Sequence, residues 1–291
     1  LVVLQVLSAR ILRNSTVLIT GCGSLGQALT EELLKYPVHA VRLLDIAESS
    51  LYEMSQRLGS SHPRVRLLQG DIRNKERMRL ALQGVHYVVH SAALKSADIA
   101  ERNPFETIDV NLNGTITAIS ESMRARVLRF VSLSSDKAIL DSTAGVYHAT
   151  KYLVERVTSW ANQISNRTRF SCVRPANFVP SKMSVFETWY KAYGREEPLP
   201  ITSPEMTRYF VPIEQAAKDV IRALLIMRGG EIFVPDAREQ NLLEMVKAAG
   251  LPYKIVGPRT GDRLSERLMS DEEKARAKRI RGMWVLAADA H

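Results

Sequence analysis

A doubly wound, parallel α/β sheet carrying a smaller C-terminal lobe is the fold this sequence predicts, and three observations predict it. From Thr16 onward, short apolar runs alternate with amphipathic stretches of helical length: TVLIT, LGQALTEELLKY, AVRLLD, SLYEMSQRL, VRLLQ, KERMRLAL and VHYVVH. Strands separated by helices of this length form βαβ units, which pair strands in parallel and cover both sheet faces. A glycine-rich turn joins the first strand to the first helix. The alternation then fades after Arg174, where Pro175, Pro180, Pro198, Pro200, Pro204 and Pro212 crowd the chain and mark loop-rich structure.

Taken in order, the apolar opening LVVLQVL is much shorter than a membrane span and lacks a small-residue cleavage pattern, so it is expected to be a buried or interface segment. TVLIT then leads into Gly21-Cys22-Gly23-Ser24-Leu25-Gly26 and a helical stretch. Strand before and helix after is the context in which a G-x-G-x-x-G turn binds a dinucleotide. Gly21 permits the tight turn, Gly23 lets pyrophosphate approach the backbone, Gly26 allows close packing, and the helix N-terminus at Ser24 and Leu25 faces the phosphates. The expected fold is therefore Rossmann-type. Asp45 ends the second strand about twenty residues later, where a carboxylate bonds the adenosine ribose hydroxyls and repels a 2′-phosphate. That favours NAD, with NADP the alternative because Arg42 is close by. Asp71-Ile72 after the third strand would flank adenine. The small residues Ser91-Ala92-Ala93 after the fourth would let the cofactor lie close to the sheet edge.

The next apolar run, LRFVSL, ends in Ser134, Ser135, Asp136 and Lys137, and Tyr147 and Lys151 follow four residues apart. That spacing is one helical turn, so both side chains share a face. An ammonium beside a phenol favours the phenolate and makes it a general base near neutral pH. Ser135, at a strand end, would anchor the same substrate hydroxyl. Residues 1–173 are expected to form the dinucleotide-binding domain. Residues 174–291 would form mainly a substrate-binding lobe, with about 208–235, including EIFVP, returning to the main sheet.

Composition narrows the classes. The 291 residues are 45% apolar and 24% charged, ordinary for a soluble globular chain. The net charge of +9 suggests an anionic partner. The basic residues are scattered without an aromatic-interleaved stripe, so a nucleotide ligand accounts for them better than nucleic acid does. The late segment KARAKRIR is expected to be a solvated helix face. Cys22 and Cys172 form neither a CxxC motif nor a metal-ligand pair, which fits a reduced, cytoplasmic setting without a metal site.

With these pieces in place, the chain resembles the extended short-chain dehydrogenase/reductase superfamily. Within it, the sequence is similar to the UDP-N-acetylglucosamine 4,6-dehydratases of the polysaccharide biosynthesis protein family. The stretches that carry the resemblance are SAALKSADIAERNPFETIDVNLNGT, LSSDKA, YHATK, LPITSPEMTRYF, GGEIFVPDA and RTGDRLSE. Two stretches depart from it: TGCGSLG is one residue shorter than the usual TGGTGSFG, and RPANFVPSKMSV stands for RYGNVxGSRGSV, with Lys182 in place of an arginine.

The resemblance implies a nucleotide-sugar 4,6-dehydratase acting on UDP-N-acetylglucosamine or a close UDP-hexosamine. Tyr147 would take the C4 hydroxyl proton, with Lys151 lowering its pKa and holding the nicotinamide ribose and Ser135 bonding the same hydroxyl. Lys137 would be the base at C5 and Asp136 the acid at C6. Lys137 would then need a lowered pKa, to which Lys151 would contribute by repulsion. Asn111 would support the active-site helix or a proton-relay water, placing it beside the cofactor. Lys95 would lie at the sugar end, and Asn177, Lys182, Arg208 and Arg259 would line the nucleotide-sugar site. Glu266 matches a recurring acid to which the sequence assigns no role. Relatives pair through the helices at about 104–124 and 145–164, implying a homodimer or higher homo-oligomer. Two alternatives stay open: a nucleotide-sugar 4-epimerase, which needs neither Asp136 nor Lys137, and a non-catalytic dinucleotide-binding sensor or scaffold.

Overall fold

The computed structural model describes residues 10–258 and 262–287. The opening LVVLQVL and Arg259 therefore lie outside the described residues. Six strands, β1 (Thr16–Thr20), β2 (Ala40–Asp45), β3 (Val65–Gln69), β4 (Tyr87–His90), β5 (Arg129–Leu133) and β6 (Arg169–Val173), pair in parallel in the order β3-β2-β1-β4-β5-β6. All of β1 and β4 is buried, which is why their sequences run apolar instead of alternating. Strand order reverses between β1 and β4, and this reversal opens a crevice beyond the C-terminal strand ends.

Helices α1 (Ser24–Leu33), α2 (Glu48–Arg57) and α3 (Lys75–Leu82) connect the first four strands. After β4 come α4 (Ala97–Arg102), α5 (Pro104–Ile108), a π-helical turn at Asp109–Asn113, and α6 (Gly114–Arg124). Helix α7 (Val146–Ile164) links β5 to β6. No helix among the described residues is long and apolar enough to cross a membrane.

The remaining chain is divided between a lobe and the main sheet. Strands β7 (Asn177–Val179), β8 (Leu199–Ile201) and β9 (Thr207–Pro212) are interleaved with α8 (Val185–Tyr193). They are followed by α9 (Ile213–Ile226), β10 (Ile232–Pro235), β11 (Arg238–Asn241), α10 (Leu242–Ala248) and β12 (Tyr253–Ile255). The order β11-β9-β7 forms one small sheet and β12-β8 another, over a separate core that includes Trp189, Ile201, Met206 and Leu242.

EIFVP becomes β10, parallel to β6 in the main sheet. Of the return expected over 208–235, β9 stays in the small sheet, and the return begins with α9, which packs on α1. There is a second return: after α11 (Asp271–Arg276), strand β14 (Met283–Leu286) pairs antiparallel with β10, and β13 (Lys278–Ile280) pairs antiparallel with β14 at the sheet edge. KARAKRIR therefore divides between the end of α11 and an exposed edge strand instead of forming one helix face. Lysine and arginine on such an edge discourage further strand pairing.

Arg174, at the end of β6, fastens these parts together. Its guanidinium is 2% exposed and donates to Glu155 Oε1 and Oε2 at 2.9 and 2.8 Å, to Glu273 at 2.7 and 2.9 Å, and to Leu268 O at 2.9 Å. Glu155 also accepts from Ser134 Oγ at 2.5 Å. Helix α7, the end of β5, the chain at Leu268 and α11 thus share one buried cation. Arg174→Ala leaves two acids facing each other without it, and is expected to destabilise the fold by about 3–5 kcal/mol. Urea unfolding at neutral pH measures this, and a loss below about 1 kcal/mol, the range of exposed pairs, would contradict the clamp.

Candidate active site

The phosphate turn is built by close contact. Gly21 has φ +93°, and a Cβ on it would lie 2.8 Å from Ala92 N; a Cβ on Gly26 would lie 1.9 Å from Gly21 O. Larger residues at either place would force the turn away from β4. A Cβ at Gly23 meets nothing within 4 Å, so the space above that residue is open. No side chain caps α1, whose first-turn N–H groups begin at Ser24 and Leu25. Asp45 holds the turn from the neighbouring strand: Oδ2 accepts from Cys22 N at 2.5 Å and Oδ1 from Ala47 N at 2.7 Å. Arg42 is committed elsewhere, donating to Ala81 O and Gln83 O at 2.7 Å each. Cys22 is buried and its thiol is pushed up to about 12, by burial first and Asp45 second, so it packs the turn and is not a nucleophile.

Around this turn, Ser91 Oγ donates to Thr20 O at 2.7 Å, and Ala92 and Ala93 follow it along the crevice. Asp71 is gripped by Arg73 at 2.6–3.1 Å, which holds its carboxyl below the ordinary range, while Ile72 is buried beneath Gly114. Asn111, 1% exposed, accepts from Leu94 N at 2.8 Å and donates to Leu94 O and Thr150 Oγ1 at 3.0 and 3.2 Å. Its amide ties the loop after β4 to Thr150 of α7.

Past β5, a single 3₁₀ turn at Asp136–Ala138 gathers the reactive side chains. Asp136 is 3% exposed; its Oδ1 accepts from Ser135 Oγ at 2.8 Å and Lys137 Nζ at 3.2 Å, and its Oδ2 accepts from Asn177 Nδ2 at 3.0 Å. Burial alone would neutralise this acid, but Lys137 and Ser135 outweigh it and hold the carboxyl below its usual value. Glu266 Oε1 stands 3.5 Å from Lys137 Nζ on the other side. Arg208 donates to Thr207 O, Leu264 O and Arg263 O at 2.7–3.1 Å, which fixes its charge near this group.

Two electrostatic expectations fail here. Burial does depress the Lys137 ammonium, but Asp136 and Glu266 outweigh it, so its pKa is raised and not lowered. The like charge that opposes them is Arg208, not Lys151. Tyr147, 5% exposed, is pushed up to about 12 by burial, and the groups that pull it back are Lys137 and Ser135. Lys151 turns away: its Nζ donates to Leu133 O at 2.9 Å and lies 6.0 Å from the Tyr147 ring centre. Burial lowers that ammonium to about 8. Helical spacing put both residues on one face, but the unpaired carbonyl ending β5 captured the lysine.

The substrate-side residues divide. Asn177 and Arg208 face the Asp136–Lys137 pair. Lys182 does not: its N donates to Ser24 Oγ at 3.1 Å, its ammonium pairs with Glu53 of α2, and its carbonyl accepts from Lys95 Nζ at 2.6 Å. The chain around Lys182 therefore crosses onto the phosphate turn and brings Lys95 with it. Sequence reasoning gave no role to Arg263 or Glu266, because both reach the site from a separate late segment. Among the described residues, no three His, Cys, Asp or Glu side chains are grouped to hold a metal.

A doubly wound sheet with a glycine phosphate turn, a serine after β5 and a tyrosine and lysine one turn apart on α7 defines the extended short-chain dehydrogenase/reductase class. The chain belongs to the polysaccharide biosynthesis protein family, whose profile matches residues 17–287. This is a family of nucleotide-sugar dehydratases and epimerases. The chain is 35% identical to the UDP-N-acetylglucosamine 4,6-dehydratase (inverting) of Campylobacter jejuni serotype O:23/36, across 89% of this chain and 79% of that protein. It is also 35% identical to the uncharacterized membrane protein MJ1061 of Methanocaldococcus jannaschii, across 94% and 86%. The X-ray structure of Pen from Bacillus thuringiensis superposes with a TM-score of 0.87 at 27% identity, covering 96% of this chain and 89% of that one.

Proposed function

We propose that this chain is a cytoplasmic, NAD-dependent 4,6-dehydratase of UDP-N-acetylglucosamine or a close UDP-hexosamine. The observation that carries the reading is the ion pair of buried Asp136 with half-buried Lys137 beside Ser135 and Tyr147. Epimerisation at C4 has no use for an acid and an amine held together in this way; elimination of water needs both. The similarity to a UDP-N-acetylglucosamine 4,6-dehydratase supports the same substrate class.

The residues present fit a dinucleotide. The uncapped start of α1 and the open space over Gly23 suit a pyrophosphate, and Asp45, with Arg42 turned away, suits an unphosphorylated adenosine ribose. Gly21, Gly26, Ser24, Leu25 and Ser91-Ala92-Ala93 would line that path, with Asp71-Ile72 at its adenine end. A dinucleotide held there would supply the hydride acceptor for the sugar C4 and the hydride donor for C6.

The side chains supply the proton chemistry. Tyr147 takes the proton of the C4 hydroxyl as the phenolate, a form that burial opposes and that the Lys137 charge and the Ser135 hydroxyl favour. The resulting C4 ketone acidifies the C5 proton, which Lys137 Nζ removes as an amine, while Asp136 as a carboxylic acid protonates the C6 oxygen. The C6–O bond breaks and water leaves; once hydride is back on C6 the enolate takes up a proton at C5, which balances the one that Tyr147 took from the C4 hydroxyl. Lys137 has then gained a proton and Asp136 has lost one, which is the ammonium–carboxylate pair seen here. One proton crossing the 3.2 Å between them restores the reactive forms. The raised pKa of Lys137 is thus compatible with its role as base, because the base is created by transfer to Asp136 and not by loss to solvent. Asn177 and Arg208 would hold the sugar nucleotide beside this pair, with Arg259 alongside and Lys95 and Lys182 bridging to the phosphate turn.

Exposed apolar side chains on α5, α6 and α7 suit pairing with a second copy: Phe105 is 89% exposed, Trp160 57%, Ile164 50% and Ile116 42%. We expect a homodimer through this face. Sedimentation should give a dimer that Trp160→Glu weakens at least tenfold; a wild-type monomer at micromolar concentration would contradict it.

For the reaction itself, mass spectrometry of UDP-N-acetylglucosamine incubated with protein and NAD should show loss of one water. In Lys137→Ala that loss should slow by about 10²–10⁴-fold. An unchanged mass with a new sugar isomer would indicate 4-epimerisation instead. Bound dinucleotide with no turnover would point to a sensor or scaffold.

A further inference from the structure

Glu266 is the most conspicuous buried group that the chemistry above leaves unused. It is 2% exposed, and neither carboxylate oxygen has a hydrogen-bond partner among the described residues. Its two neighbours are cations at ion-pair distance: Lys137 Nζ lies 3.5 Å from Oε1, and Arg263 NH1 lies 3.5 Å from Oε2. Arg263 is itself held by Ile139 O at 2.9 Å and Asp141 at 3.0 Å, both just beyond the 3₁₀ turn that carries Lys137. Asp136, Arg208 and the Tyr147 phenol are the other titratable and charged groups facing Glu266. A carboxylate buried without a hydrogen-bonding protein partner is costly, and each such group in a native fold calls for an explanation.

We propose that Glu266 is a positioning residue for the elimination step, holding Lys137 from the side opposite Asp136 so that Asp136, Lys137 and Glu266 share one mobile proton. This rests on the dehydratase reading. With two carboxylates and one amine, the group carries net charge −1 whenever it holds a single proton beyond the amine, whether that proton sits on Lys137 or on Asp136. The proton can therefore move from Lys137 to Asp136 without changing the charge of the buried cluster. As Lys137 takes the C5 proton, Glu266 faces the ammonium being formed, and it favours that product over the neutral amine. Burial raises the Glu266 pKa and Lys137 opposes it, as two groups in direct electrostatic contact require.

The sign of the pH effect follows. Loss of the shared proton at high pH removes the acid needed at C6 and ends activity on the alkaline side. An anion beside Lys137 keeps that proton bound, so removing the anion moves the alkaline limb to lower pH.

The test compares holoenzyme wild type, Glu266→Gln and Glu266→Asp, following water loss from UDP-N-acetylglucosamine against pH. Glu266→Gln should move the alkaline limb down by about one pH unit or more. Water loss should slow at least tenfold while reduced dinucleotide still forms, and Glu266→Asp should keep the wild-type limb. In parallel, carbon-13 NMR of glutamate-labelled protein, with the Glu266 signal assigned by its absence in Glu266→Gln, should show the Glu266 pKa rising by about one unit or more in Lys137→Met.

An unmoved Glu266 titration in Lys137→Met overturns the proposal whatever the enzyme does. So does a Glu266→Gln variant that loses rate with its limb unshifted, which is the signature of a structural acid. A wild type that releases no water from the sugar overturns the dehydratase reading and with it the elimination role, while the NMR titration still reports separately whether the two groups are coupled.

Discussion

The site depends on an ion pair at the edge of the protein interior, with the Asp136 side chain 4% exposed and that of Lys137 20%. Asp136 and Lys137 are adjacent in sequence, and the 3₁₀ turn after β5 folds their charged ends to 3.2 Å. Burying two charges costs more than their attraction returns unless the remaining lone pairs and protons are satisfied. Here Ser135 and Asn177 complete Asp136, and Glu266 completes Lys137. Removing either charge alone leaves an uncompensated ion in the same site, so the pair is held as a unit. That constraint makes proton exchange within it easier than exchange with solvent.

Holding such a pair needs contributions from far apart in the chain. The turn follows β5, Tyr147 comes from α7, Asn177 from β7, Arg208 from β9 and Glu266 from the segment after the lobe. The parallel sheet supplies the fixed strand ends, and Arg174 locks α7 to the late segment through Glu155, Leu268 and Glu273. A further tie runs across the crevice, where the chain at Lys182 bonds Ser24 of the phosphate turn and takes Lys95 as a partner. The two sides of the crevice are thereby joined.

Much of this was legible in the sequence because it depends on periodicity and close packing. Apolar runs spaced by helices require the parallel sheet, and the glycines at 21 and 26 are required by backbone contacts that no side chain could survive. EIFVP was readable as a returning strand for the same reason. The return of MWVL as β14 was hidden, because its partner strand KRI is a charged edge that reads as a solvated helix end. The electrostatics were hidden more deeply. Helical spacing puts Tyr147 and Lys151 on one face, but it does not reveal that the ammonium turns to Leu133 O. The rise in the Lys137 pKa comes from Asp136 first and Glu266 second, and no local pattern connects Glu266 to it. Lys182 likewise sits by an expected substrate position in sequence, yet tertiary folding carries it to Glu53.

The central claim is that one hydrogen travels within the sugar from C4 to C6 while Asp136 and Lys137 remove water between the two events. The most direct measurement supplies UDP-N-acetylglucosamine carrying deuterium at C4, in ordinary water, and locates the deuterium in the product by NMR. The account predicts a 4-keto-6-deoxy product with deuterium in the C6 methyl group. Deuterium found at C4 of an isomer of unchanged mass, or lost to solvent, would contradict it.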